Sequence, residues 1–104
     1  MSHEIWDISP WATAIDEMLN LEEKPEDEEE AAVYVARHWA LTELYRRIWD
    51  HPFQDPDDTL ADFCYEVAIL ANSPGCKLHG INIFREAYSV LRELQNGMLR
   101  PNEL

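Results

Sequence analysis

The chain has 104 residues, the length of one domain, and 46% of them are hydrophobic, including four Trp, four Tyr and three Phe; that composition excludes a chain disordered throughout. Its formal net charge is −13, from twenty-one acids against eight Lys and Arg, which excludes a basic footprint for a phosphate backbone and sets the chain against anionic membrane surfaces. Only three Gly and no Val/Ile/Thr alternation leave a β-rich fold without support.

Four helical segments follow in chain order. Ser9-Pro10 reads as an N-cap and a first helical residue, after which Trp11, Ile15, Met18 and Leu19 recur on one face. This short helix ends near Leu21. The second helix is expected to start near Pro25 or Glu26 and to run to about Trp49, because Pro52 biases His51 away from helical geometry. Its main apolar face gathers Val33, Tyr34, Ala40, Leu41, Leu44, Tyr45 and Ile48, while Val35 and Trp39 point to the other side. Asp55 as N-cap, Pro56 at the first position and Asp57 and Asp58 in the positive first turn open the third helix. Leu60, Phe63, Cys64, Val67, Leu70 and Ala71 form its stripe, and Asn72-Ser73-Pro74-Gly75 stops it. The fourth begins near Asn82, presents Ile83, Phe84, Ala87, Val90, Leu91 and Leu94, and is expected to close at Asn96-Gly97, with residues 98–104 frayed. The fold class is therefore all-α: one compact four-helix domain over residues 1–104, with a short first helix, a long second helix and an acidic hinge over residues 22–30.

No apolar run approaches the ~20 residues of a membrane span, and MSHEIWDISP lacks a basic-then-apolar leader. With just two cysteines, Cys64 in a helical stripe and Cys76 in a loop, a cytoplasmic chain with free thiols is the expectation.

Catalytic and metal motifs fail one by one. His3-Glu4-Ile5-Trp6-Asp7 lacks the second His of a zinc-protease helix. Cys76-Lys77-Leu78-His79 has ligand-like spacing, with Cys64 and His51 as the remaining candidates, but no second pair is near in sequence and a structural loop is expected. No His follows a Glu at the spacing of a carboxylate-bridged di-metal bundle, and the stripes of the third and fourth helices hold no acid. Arg37 and His38 sit at the edge of the second stripe, with polar tips expected to reach water. The expectation is a chain without enzymatic activity, cofactor or metal.

Two surfaces remain as sites for a protein partner. The first is the run EEKPEDEEE, with Glu22, Glu23, Glu26, Asp27, Glu28, Glu29 and Glu30. Residues 1–30 hold eleven acids and one base, so the charge is concentrated there. Helix-start chemistry accounts for some of these acids. Five consecutive carboxylates on a helix give one charge per ~1.5 Å, close to the ~1.7 Å of duplex DNA. In charge and size alone the chain resembles small acidic helical inhibitors of restriction or CRISPR nucleases. The expected role is a regulator or inhibitor presenting this surface to a basic site on a nucleic-acid-binding protein or nuclease, with no direct contact to nucleic acid or membrane. The alternative surface is apolar: Val35 and Trp39 with Tyr65 and Ile69 on the outward side of the third helix, either covered by the first helix or free for an adaptor contact or a homodimer.

Overall fold

Two aspartates and one asparagine cap three of the four helices. α1 (Ser9–Leu21) has Ile8 at its N-cap, one residue before the Ser9 cap expected from the sequence and without a side-chain cap bond, and Asp7 Oδ1 accepts from the Ser9 N–H at 3.0 Å. Both the hydroxyl and the N–H of Ser9 hold the Asp7 carboxyl below its ordinary value. Asp27 Oδ2 accepts from the N–H groups of Glu29 and Glu30 (both 3.1 Å) and opens α2 (Glu28–Asp50). Asp55 caps α3 (Pro56–Ala71) through the Asp57 N–H at 2.9 Å, with Pro56 in its first turn as expected. Asn82 Oδ1 accepts from Phe84 and Arg85 (both 3.1 Å) and opens α4 (Ile83–Leu99). Each cap satisfies N–H groups that the first turn leaves without intrahelical partners. The computed structural model of the chain describes residues 5–99.

These elements make an all-α domain of four helices with a short first and a long second helix, as the sequence implied. Its core joins Ile15 of α1, Ala40, Leu41, Leu44 and Ile48 of α2, Leu60, Phe63, Cys64 and Val67 of α3, and Ala87, Val90, Leu91 and Leu94 of α4. α4 packs against α1, α2 and α3, so it shares the centre with α2. Trp11, Met18 and Leu19 lie on this core from α1. The N-terminal segment is tied down by the Trp6 N–H, which donates to the Pro52 carbonyl at 2.9 Å.

Several boundaries differ from the sequence expectation. α2 starts at Glu28, not near Pro25 or Glu26, because Asp27 turns its carboxylate onto the first turn and leaves residues 22–27 as linker. The buried face at that end is made by Ala32 and Ala36, while Val33 and Tyr34 are half-buried beside the linker. Leu70 stands exposed and Ala71 half-buried, so the α3 stripe ends at Val67. α4 does not stop at Gly97 but runs to Leu99. Met98 continues the stripe of Leu91 and Leu94 onto the core, and that burial offsets the ~1 kcal/mol cost of a helical glycine. Residues 98 and 99 of the expected frayed tail are thus helical; residues 100–104 lie outside the described residues.

The segment between α3 and α4 is a small hairpin, which the sequence reading had as a loop. β1 (Lys77–Leu78) pairs antiparallel with β2 (Ile81–Asn82), in the register Lys77 to Asn82 and Leu78 to Ile81. His79 (φ 50) and Gly80 (φ 80) both take the left-handed region, the signature of a two-residue type I′ turn. Asn82 also donates through Nδ2 to the Ala71 carbonyl at 2.8 Å, which clamps the end of α3 to the start of α4.

Candidate functional site

The acidic run is divided by the fold into members with structural partners and members facing water. Glu22 follows α1 in extended geometry, and its Oε1 accepts from Arg37 Nε at 2.8 Å. The same guanidinium forks onto both carboxylate oxygens of Glu93 on α4, at 2.9 and 3.2 Å. Arg37 therefore ties α2 to α4 and to the linker after α1, and its charged form is favoured first by Glu93 and then by Glu22 against the cost of burial. Asp27 is committed to the α2 cap. Glu28 lies 3.5 Å from Nδ1 of His79 at the hairpin turn. Glu23, Glu26, Glu29 and Glu30 have exposed side chains. Only Glu28, Glu29 and Glu30 stand on helical backbone, so the phosphate-like spacing expected for five carboxylates applies to three.

The apolar surface is likewise divided. Trp39 is 41% exposed and Val35 50% exposed, so neither is covered by α1. Trp39 packs on one side against Phe63 and Phe84, with ring centroids 5.7 and 5.9 Å away. Val35 and Trp39 also join Ala36, Leu78, Ile83 and Phe84 around a groove of about 360 Å³. Tyr65 and Ile69 are exposed on α3 but do not line this groove. Ile83, expected on the α4 stripe, and Leu78, expected in a loop, meet Val35 and Trp39 here because the groove depends on the hairpin. A two-residue His79-Gly80 turn between Leu78 and Ile81 was the signal that would have placed them.

Beyond Trp39 on α2, charge is internally compensated. Arg47 lies 4.3 Å from the Phe63 ring centroid, bonds Glu43 at 3.1 Å and reaches Glu66 on α3 at 2.9 Å. Arg46 bonds Glu43 and reaches Asp50 at 2.7 Å. The paired guanidiniums, Arg46 foremost, hold Glu43 below its ordinary value. Arg46, Arg47, Asp50 and Glu66, with Thr59 and Asp62, line a polar depression of about 250 Å³.

The remaining sequence candidates are placed as follows. His38 stacks on Tyr34 with centroids 3.9 Å apart, and its Nε2 is buried with no hydrogen-bond partner; its tip does not reach water as expected. Cys64 and Cys76 are both free thiols, and burial pushes the Cys64 thiol up. Among the described residues, no three His, Cys, Asp or Glu side chains converge as a metal site, and no helix is long and apolar enough to cross a membrane. Comparison with protein-family models, with curated proteins and with solved structures finds no match to this chain.

Proposed function

We propose that this protein is a non-enzymatic inhibitor or regulator that presents its acidic face to a basic site on a nucleic-acid-binding protein or nuclease. The observation that carries the reading is the exposed cluster Glu23, Glu26, Glu28, Glu29 and Glu30 at the anchored start of α2. Asp27 fixes that helix start, and the Arg37 ion pairs tie the preceding linker to the body of the domain. An acidic cluster on such a scaffold presents its field in a fixed place, which raises association rates with basic surfaces and disfavours nucleic acid itself. A cytoplasmic setting belongs to the same proposal, and the two free thiols fit a reducing compartment.

The exposed Val35 and Trp39 favour the second reading, a helical adaptor or homodimer in which the acidity serves solubility. Capture from lysate, at low salt and again at about 0.5 M salt, separates the two. The inhibitor reading expects a basic nucleic-acid-binding protein that is released by salt and lost on replacing Glu26, Glu29 and Glu30 with Gln. Retention of that partner by the neutralised variant would sink it. The adaptor reading expects a salt-resistant complex or dimer weakened by Trp39→Ala.

A further inference from the structure

The acidic start of α2 and the apolar groove are not two separate surfaces. Glu28, Val35 and Trp39 stand at i, i+7 and i+11 of one helix, which puts them along a single stripe. The hairpin closes the connection, since His79 lies 3.5 Å from Glu28 and the adjacent Leu78 is a groove wall. The walls are Val35, Ala36, Trp39, Leu78, Ile83 and Phe84, with no polar side chain among them. A site for a small polar ligand carries a few directed polar groups. A purely apolar groove of about 360 Å³ suits instead the aliphatic or aromatic anchors of a polypeptide.

Along α2 the charge on either side of this groove is unequal. Towards the N-terminus of α2 stand Glu28, Glu29 and Glu30. Towards its C-terminus the same stripe reaches Arg46, whose charge is taken up by Glu43 and Asp50. Of the cations next in sequence to its walls, Arg37 is taken up by Glu22 and Glu93, while Lys77 and Arg85 are exposed and, like Glu28–Glu30, lie outside the groove lining. A second copy of this chain is a poor occupant, because each copy carries −13 and would set acid against acid. Charge complementarity selects a basic partner instead.

We infer that the groove receives the apolar anchors of a basic amphipathic helix on the partner, with its cations laid against Glu28–Glu30. This inference rests on the acidic-face reading and specifies what the partner presents there. The seven residues from Glu28 to Val35 correspond to ~10 Å of helix rise. The occupant therefore carries Leu- or Phe-like anchors one turn apart, and Lys or Arg about seven residues to one side of them.

The test uses the full chain and synthetic helices of about 18 residues, with a Leu pair at i and i+4 and Lys grouped about seven residues away. One comparison helix replaces Leu by Gln and another replaces Lys by Gln. Binding is read by calorimetry, and its location by NMR shifts of Val35, Trp39 and Leu78. The mixed helix is expected to bind about tenfold tighter than either comparison and to move those signals. Val35→Glu is expected to weaken it about tenfold, although the extra charge would strengthen any purely electrostatic contact; Leu78→Gln, on the hairpin, is expected to do the same. Equal binding of the Gln-for-Leu helix, indifferent to Val35→Glu, overturns the groove while leaving the acidic face intact. Equal binding of the Gln-for-Lys helix, or a homodimer abolished by Val35→Glu, overturns the basic occupant. Failure of every Lys-bearing helix to bind at low salt overturns the inference and counts against the acidic face as well.

Discussion

Asn82 is the side chain on which the α3–α4 junction depends most directly, and Asn82→Ala measures that dependence. Its Oδ1 satisfies the Phe84 and Arg85 N–H groups at 3.1 Å, and its Nδ2 reaches the Ala71 carbonyl at 2.8 Å. Loss of an N-cap costs about 1 kcal/mol, and a partly buried side-chain bond to a carbonyl contributes about another 1 kcal/mol. The expected destabilisation is therefore about 2 kcal/mol, or roughly 8–16 °C in Tm for a domain of this size. Asn82→Asp separates the parts: it keeps the two acceptor bonds at the positive end of α4 but sets a carboxylate against the Ala71 carbonyl. It is expected to cost about half as much. Urea denaturation followed by circular dichroism reads both, and an unchanged m-value marks the loss as stability rather than a changed unfolded state. A cost below about 0.5 kcal/mol for Asn82→Ala would refute the clamp. Equal costs for Asp and Ala would refute the division between cap and clamp.

The other expectations concern charge. Asp27→Asn keeps the α2 cap and is expected to leave stability within about 0.5 kcal/mol, whereas Asp27→Ala loses about 1 kcal/mol in the same urea assay. Arg37→Ala removes the bonds to Glu22 and Glu93 and is expected to cost about 1–2 kcal/mol, discounted for the exposure of its partners; Arg37→Lys restores less than half, since an ammonium lacks the fork. Glu43 is held below its ordinary value by Arg46 and Arg47, so its stabilising contribution is present above the unfolded carboxylate value and is lost as pH falls through the folded one. Glu43→Gln is thus expected to lower Tm at neutral pH and to converge with the wild type in acid; a pH-independent difference would count against the ion pairs as cause. With the mixed helix, neutralising Glu28–Glu30 is expected mainly to slow association and Val35→Glu mainly to speed dissociation, as read by surface plasmon resonance.

Where a helix begins on a Pro-Asp signal, as at Asp55-Pro56-Asp57, the local chemistry alone decided the boundary and the sequence revealed it. α2 was different, because every residue from Glu26 to Glu30 is an acid and charge alone does not say which one caps. The choice of Asp27 rests on its shorter side chain, which reaches the Glu29 and Glu30 N–H groups. At the far end of α4, glycine chemistry predicted a stop at Gly97, and packing of Met98 on the core overrode it. The groove was half legible: Val35 and Trp39 stood out by helical period, while Leu78 and Ile83 join them only after a hairpin turns the chain back. Tyr65 and Ile69 have the same period on α3, yet they do not reach the groove, because period fixes a face and not its neighbours.

The structure also changes what the acidic run has to explain. Glu22 is engaged by Arg37 and Asp27 by the cap, so two of the seven acids have a structural partner, while Glu28, 3.5 Å from the His79 ring, stays exposed. For Glu28, Glu29 and Glu30, the first-turn dipole supports an acid by about 0.3–1 kcal/mol, while like charges a turn apart cost a similar amount. These three therefore bring the fold little net stability, and they are exposed together with Glu23 and Glu26 of the linker. Charge in such a position contributes to how fast and how selectively a partner arrives more than to how long it stays. Residence requires desolvated apolar contact, and the groove that begins two turns farther along the same stripe of α2 supplies it. In the proposed complex the acids and the groove thus take complementary parts of one recognition event, and neither would account for a tight complex alone.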